Sequence, residues 1–97
     1  MKNIKFEWDK RKDRENQKKH GVPFSEAQTV FYDDRAIEFF DPDHSEDENR
    51  FLMIGLSAKV RILLVNYLYK EEKKEDIIRI FSARRATKNE QKVYIER

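Results

Sequence analysis

The fold of this protein is decided by residues 50–69, which read RFLMIGLSAKVRILLVNYLY. Both halves of this stretch are rich in aliphatic, β-branched and aromatic residues, and Ala58-Lys59-Val60 separates them, a pattern typical of a β-hairpin. Successive side chains of a strand point to opposite faces. One face of the second strand therefore carries Leu63, Val65, Tyr67 and Tyr69. The stretch predicts two paired strands, over residues 50–57 and 61–69.

Further strands are predicted on either side of this hairpin. Residues 36–40 are a short strand candidate before it, and residues 76–83 are a longer one after a charged turn at 70–75. The four strands would form a mainly antiparallel sheet. We expect its most buried side chains to be Leu63, Val65, Tyr67, Ile78 and Ile80.

Two helices are predicted before the sheet. Residues 9–20 include no apolar side chain after Asp9, yet their composition favours a helix. Asp9 is a suitable N-cap and Gly21 a stop signal, and apolar residues at the two ends, Trp8 and Phe24 among them, would anchor this polar helix. Residues 25–31 predict a second, short helix.

The C-terminal segment predicts a third helix. Thr87 and Glu90 match a capping box, and the helix would end near residue 96. The sequence thus predicts an α+β fold with two N-terminal helices, a four-stranded mainly antiparallel sheet and a C-terminal helix.

Composition restricts the possible functions. The 97 residues suffice for a single domain, residues 1–97, and the absence of cysteine excludes disulfide scaffolds, zinc fingers and thiol nucleophiles. The two glycines lie far apart, so the chain has no glycine-rich phosphate loop. Met1 is followed by charge, and no apolar run approaches the ~18 residues that a membrane span needs. We therefore expect a cytoplasmic protein with no membrane partner.

Charge is segregated along the chain. Residues 1–23 hold eight Lys and Arg against four Asp and Glu, residues 24–50 hold two against nine, and residues 51–97 hold eleven against six. Two basic blocks around an acidic one indicate a side that faces a polyanion and a second, acidic side. The alternative is a highly charged surface that steers nothing.

One face of the first predicted helix collects candidate functional groups. Lys12, Asn16, Lys19 and His20 are spaced i, i+4, i+7 and i+8, so they share this face. The face is either solvated or directed at a ligand. In the second case His20 is of the residue type that transfers protons near neutral pH, and the two lysines would contact phosphate.

The acidic loop at residues 41–48 begins like a calcium site but does not continue as one. Its sixth position is Glu46 instead of glycine, and its twelfth is Leu52 instead of glutamate. Two histidines without thiolates are also a poor set of transition-metal ligands. We expect no metal and no cofactor, and interpret the loop as solvated or as a docking surface for a basic partner.

Arginines mark the last predicted strand. Arg79 interrupts an apolar run, where a charge is costly unless it is paired or faces a groove. Arg84, Arg85 and Lys88 cluster where the strand meets the helix N-terminus, which favours an anion site. The alternative is an ion pair from Arg79 to the acidic block and a solvated Arg84 and Arg85.

The pattern Trp8-Asp9-x-x-Lys12-x-x-x-Asn16-x-x-Lys19-His20-Gly21-Val22-x-Phe24-x-x-Ala27-x-x-Val30-Phe31 resembles the opening of the BrnT toxin family. Later blocks resemble it too: Asp41-Pro-Asp-His-Ser45, Arg50-Phe51 with Ile54-Gly55, and Arg79-Ile80-x-Ser82-Ala83-Arg84-x-Ala86-Thr87-x-x-Glu90 with Tyr94. These blocks occur in order over nearly the whole chain.

The resemblance implies a RelE-like fold and a ribonuclease that is the toxin of a bacterial type II toxin–antitoxin pair. It implies a BrnA-like antitoxin as protein partner, and operator DNA bound only through that antitoxin. The alternatives are a non-catalytic nucleic-acid-binding module with the same basic groove and a module whose basic clusters only bind the antitoxin.

Cleavage of RNA without metal needs a base for the ribose 2′-OH, an acid for the departing 5′-oxygen and cations for the phosphorane. We assign charge stabilisation to Arg79 and Arg84 and proton transfer to His20. Further catalytic candidates are Lys19, Glu48 and Tyr94, and the candidates for RNA binding are Lys12, Asn16, Arg50 and Lys88.

Overall fold

The computed structural model describes residues 3–41, 43 and 49–97. The elements in chain order are β1 (Asn3–Glu7), α1 (Lys10–His20), α2 (Phe24–Ala27) continuing into a 3₁₀ helix (Gln28–Tyr32), β2 (Ile37–Phe40), β3 (Arg50–Leu56), β4 (Ile62–Glu71), β5 (Glu75–Arg85) and α3 (Lys88–Glu96). In the described part of the chain, none of the helices has the length and apolar character needed to cross a membrane.

Within the described residues, the sheet has five strands in the order β1-β5-β4-β3-β2. β1 pairs with β5 in parallel, and the other pairs are antiparallel. The α+β class is therefore confirmed, whereas the prediction of four strands is wrong. The predicted element order is wrong as well, because the chain begins with a strand instead of with two helices.

The missed strand, β1, has a physical reason to escape a sequence pattern. Its sequence, NIKFE, does alternate polar and apolar side chains, but over only five residues, and the first three, Ile4 among them, are exposed. What holds it is main-chain pairing with β5 and one aromatic side chain, Phe6, whose ring lies 5.4 Å from that of Phe31.

The central hairpin is confirmed. Residues 50–56 pair with residues 62–68 in antiparallel register. Leu63, Val65, Tyr67, Ile78 and Ile80 are at most 5% exposed, as predicted, and they pack against a second set of buried residues, Val22, Phe24, Ala27 and Val30. This core lies between the sheet and the segment that follows α1.

The helix ends follow the sequence signals. The Asp9 carboxylate accepts hydrogen bonds from the main-chain N–H groups of Arg11 and Lys12, and Gly21 ends α1 in the left-handed conformation with φ of 70°. Thr87 and Glu90 form the predicted capping box. The predicted helix at 25–31 is instead one turn of α-helix followed by a 3₁₀ helix.

A buried ion pair joins α2 to the turn of the hairpin. Glu26 is 4% exposed and receives two hydrogen bonds from the Arg61 guanidinium and one of 2.7 Å from the Ser57 hydroxyl. Burial raises the pKa of Glu26, but the hydrogen bonds from Arg61 and Ser57 outweigh burial and leave that pKa below its ordinary value.

Because the pKa of Glu26 is lowered on folding, the pair stabilises the protein above the unfolded pKa of about 4.3 and loses this effect as pH falls through the folded pKa. We expect Glu26→Gln to lower the free energy of unfolding at pH 7 by about 3 kcal/mol, since it leaves Arg61 without its partner. Urea denaturation between pH 7 and pH 3 measures this.

The difference between Glu26→Gln and wild type should shrink as pH falls below the ordinary pKa of glutamate, because the unfolded wild-type chain then takes up a proton at this carboxyl. Glu15→Gln, at an exposed pair with Arg11, is the control and should change stability by less than about 0.5 kcal/mol. A difference that stays constant over the whole pH range would contradict this account.

Candidate functional site

The side-chain amide of Asn16 fixes α1 beside the edge of β5. Its Nδ2 donates hydrogen bonds of 2.8 Å to the carbonyl oxygens of Val22 and Ala83, and its Oδ1 accepts one of 3.2 Å from the Ala83 N–H. β1 pairs with β5 only as far as Arg79, so Asn16 occupies the edge that β1 leaves open. Asn16 is 7% exposed and is the buried residue of α1. Its predicted contact with RNA stays a prediction.

A cleft of about 270 Å³ lies between α1 and β5. The helix side contributes Lys12, Lys19 and His20, which confirms that these residues share one face with Asn16. Strand β5 contributes Phe81 and Ser82. Lys12 and Lys19 are exposed and His20 is half-buried, so both cations and the imidazole are open to a ligand.

Glu15 also borders this cleft, and its carboxylate opposes the positive charge. It forms an exposed pair of 3.3 Å with Arg11 on the same helix. Exposed pairs of this kind are weak and strongly screened, so Glu15 tempers the basic character of the cleft without removing it.

Two cationic side chains lie over the aromatic ring of Phe81. The β4–β5 register shifts between Asn66, opposite Ser82, and Tyr67, opposite Ile80, which leaves Phe81 as the extra residue of a β-bulge. The Arg50 guanidinium lies 4.1 Å and the Lys12 ammonium 5.3 Å from its ring centroid. The bulge thus connects Arg50 on β3 with the cleft beside α1.

Arg79 is paired, but with a residue other than those of the acidic block. Its guanidinium lies 2.9 Å from the carboxylate of Glu7, its register partner on β1, and its side chain is 39% exposed. Hydrogen bonds from the Lys12 and Arg11 N–H groups lower the pKa of Asp9, and the charges of Lys12 and Arg79 lower it further. Arg79 therefore lies near the N-terminal end of α1, at the Lys12 end of the cleft.

Arg84 lies in a different environment from Arg79. Both of its terminal nitrogens bind Glu90 of α3, at 2.8 and 2.9 Å, and Glu90 also caps the helix through the Thr87 N–H. The hydrogen bonds from Glu90 raise the pKa of Arg84, and those from Arg84 lower the pKa of Glu90. Lys88 is exposed on the first turn of α3. The predicted anion site at this helix N-terminus thus has a carboxylate within it.

Tyr94 lies at the far side of α3. Its hydroxyl donates a 2.6 Å hydrogen bond to Asp33, which also accepts one of 2.8 Å from the Leu56 N–H at the end of β3. Burial and the Asp33 carboxylate both raise the pKa of Tyr94, which makes the phenol a poor base at neutral pH. Glu48, a further predicted catalytic residue, lies outside the described residues.

The structure therefore separates the predicted residues into groups. Lys12, Asn16, Lys19 and His20 border one cleft, with Arg50 connected to it through Phe81 and Arg79 at one end. Arg84 and Lys88 lie at the start of α3, and Tyr94 lies farther along that helix. Sequence reasoning missed Phe81 and Glu7 as parts of the site. Phe81 could have been found from its position two residues after Arg79 on the same strand.

Fold and site define a small α+β protein with a basic cleft at the edge of a mixed sheet. Residues 8–90 match the family described as the ribonuclease toxin BrnT of type II toxin–antitoxin systems. The chain belongs to this BrnT family of ribonuclease toxins.

A solved structure supports the same conclusion. The chain is similar to the ribonuclease toxin BrnT of Brucella abortus, known from a 1.1 Å crystal structure, with 26% sequence identity and a TM-score of 0.57. The similarity covers 91% of this chain and 99% of the Brucella chain. No curated protein matches the sequence.

The contacts of Asn16 yield a prediction about stability. Asn16→Ala would leave the main-chain groups of Ala83 without partners, and each such buried group costs roughly 1–3 kcal/mol. We expect a loss of about 3 kcal/mol in the free energy of unfolding, measured by urea denaturation. Gln17→Ala, at an exposed neighbouring position, is the control and should lose less than about 0.5 kcal/mol. Equal losses in the two variants would show that Asn16 does not fix α1.

Proposed function

We propose that this protein is an endoribonuclease toxin that cleaves RNA without a metal ion and is neutralised by a BrnA-like antitoxin. The observation that carries the proposal is the cleft between α1 and β5, which places an imidazole and several cations beside one aromatic ring at the sheet edge. Membership of the BrnT family supports the class of reaction.

The reaction begins with attack of a ribose 2′-oxygen on the adjacent phosphorus. A base accepts the 2′-OH proton, the bond from phosphorus to the 5′-oxygen breaks, and an acid protonates that oxygen. The products are a 2′,3′-cyclic phosphate and a free 5′-hydroxyl. A histidine side chain can serve as base or as acid near neutral pH. His20 is the histidine that lines the cleft.

Arg79 is the proposed stabiliser of the phosphorane. It projects from a strand that is paired on both sides at this position, so its backbone is rigid. Its pair with Glu7 is more than one-third exposed, and such a pair exchanges readily for a phosphate ligand. A guanidinium also offers two parallel N–H donors to phosphate oxygens, which suits the bidentate binding of this group.

The other cations have supporting roles in this proposal. Lys12, Lys19 and Arg50 bind the RNA backbone, while Asn16 positions α1 through its contacts with Ala83. Lys88 would contact RNA that extends toward α3. Glu48 and Tyr94 remain candidates for proton transfer, although the raised pKa of Tyr94 favours the acid role over the base role.

A protein partner is the second part of the proposal. Type II toxins are neutralised by an antitoxin protein, and the family assignment indicates such a partner for this chain. The acidic block at residues 24–50 and the basic cleft offer that partner two surfaces of opposite charge. We propose that the antitoxin is BrnA-like and that operator DNA is bound through it.

Loss of Arg79 should affect cleavage most. We expect Arg79→Ala to lower the cleavage rate about 100-fold or more, because one preorganised electrostatic contact to a transition state is worth roughly 3 kcal/mol. Arg79→Lys should recover only part of the rate, since a point charge does not replace a bidentate fork. Single-turnover cleavage of a fluorescent RNA measures both, with Arg85→Ala as a control that retains activity.

Two further measurements accompany this experiment. Cleavage by the wild-type protein should be unchanged by EDTA, and His20→Ala should flatten the pH profile near neutrality. A folded Arg79→Ala protein that cleaves as fast as wild type would remove Arg79 from the site. RNA affinity that falls with each cation removed, without any cleavage, would instead establish a non-catalytic binding module.

Arg84 is tested against its own partner. If Arg84 stabilises the reacting phosphate, Arg84→Ala should lower the cleavage rate at least tenfold more than Glu90→Ala does. If Arg84 only fastens α3 to β5, the two variants should lose stability and activity equally, because they break the same pair. The comparison requires both rates together with both urea unfolding curves.

A further inference from the structure

Phe81 belongs to none of the groups that the chemistry of RNA cleavage requires, yet it is the point at which two distant basic elements meet. Arg50 comes from β3, two strands away, because its register partner Leu68 on β4 is in turn the partner of Arg79 on β5. Lys12 comes from α1. The ring borders the cleft, and the Arg50 guanidinium lies over it.

We propose that Phe81 is a positioning residue that holds Lys12 and Arg50 as a two-cation seat for the RNA backbone. The inference rests on the proposed function and names a contact within it. Long basic side chains lose substantial rotamer entropy when they bind an anion, and a ring that has already ordered them reduces that loss.

The geometry supports this arrangement. The face of an aromatic ring is negative, and it attracts cations within about 6 Å of its centroid, a range that includes both observed distances of 4.1 and 5.3 Å. Because both cations lie near the same centroid, they are at most about 9.4 Å apart.

The β-bulge explains why the ring can occupy this position. A regular strand would place residue 81 opposite a β4 residue and point its side chain to a fixed face. Phe81 is instead the inserted residue of the bulge and has no register partner on β4. Bulges of this kind redirect side chains next to functional sites. Ser82, the next residue, lines the same cleft.

The test is a double-mutant cycle with a 2′-O-methyl RNA oligonucleotide, which binds but is not cleaved. Affinity is measured by fluorescence anisotropy for wild type, Phe81→Leu, Arg50→Ala and the double variant, each at 50 and 200 mM salt. We expect Arg50→Ala to weaken binding five- to tenfold in the wild-type background but only about twofold beside Phe81→Leu.

The salt dependence separates positioning from charge. Phe81→Leu removes no charge, so it should weaken binding about three- to fivefold while the slope of log affinity against log salt stays unchanged. Arg50→Ala should reduce that slope by about one. Phe39→Leu, at an exposed aromatic residue of β2, is the matched control and should leave affinity unchanged.

Ring fluorination at residue 81 keeps the inference testable if Phe81→Leu fails to fold. Pentafluorophenylalanine retains the shape of the ring and reverses its quadrupole, so RNA affinity should fall as it does with leucine. Equal effects of Arg50→Ala in both backgrounds, or unchanged affinity after fluorination, would overturn the inference.

Cleavage of an unmodified RNA distinguishes this inference from the proposed function. Cleavage without coupling between residues 50 and 81 overturns only the two-cation seat. Binding that depends on Phe81 without any cleavage by the wild type overturns only the ribonuclease proposal. Absence of both binding and cleavage overturns both.

Discussion

The three hydrogen bonds of the Asn16 amide are the contact on which the rest of the site depends. Helix α1 is polar on nearly all sides, so it has no apolar stripe to fix its rotation or its depth against the sheet. Asn16 satisfies both main-chain groups of Ala83 where β1 no longer pairs with β5. It thereby sets the register between helix and strand, and this register places Lys12, Lys19 and His20 beside Phe81.

The basic residues of this protein differ in how strongly other residues of the chain bind them. Arg61 is committed to the buried Glu26, and Arg84 is bound through both nitrogens to Glu90. Arg79 has one contact with a partly exposed carboxylate. A cation held at one partly exposed contact transfers to phosphate at lower cost than a cation held at two points. This difference supports the proposal that RNA binds at the α1–β5 cleft instead of at the start of α3.

How much could be predicted from the sequence depended on how local each signal was. Caps at Asp9 and Thr87 and the alternation in the hairpin are determined by neighbouring residues, and they were predicted correctly. Strand β1 alternates polar and apolar residues over only five positions, and it is held by pairing with β5, far along the chain. The cleft face of α1 followed from helical spacing. The partners of Arg79 and Phe81 could not be predicted in this way. The missed strand β1 supplies the partner of Arg79, and a β-bulge sets the position of Phe81.

The central claim is that RNA binds in the cleft between α1 and β5, and it is tested most directly by NMR. Amide shifts of the ¹⁵N-labelled protein would be followed during titration with a 2′-O-methyl RNA oligonucleotide. The account predicts that the largest changes cluster at Lys12, Lys19, His20, Arg79 and Phe81, with little change in the hairpin turn at residues 57–61. Largest changes at that turn or along β2, with the cleft unaffected, would contradict it.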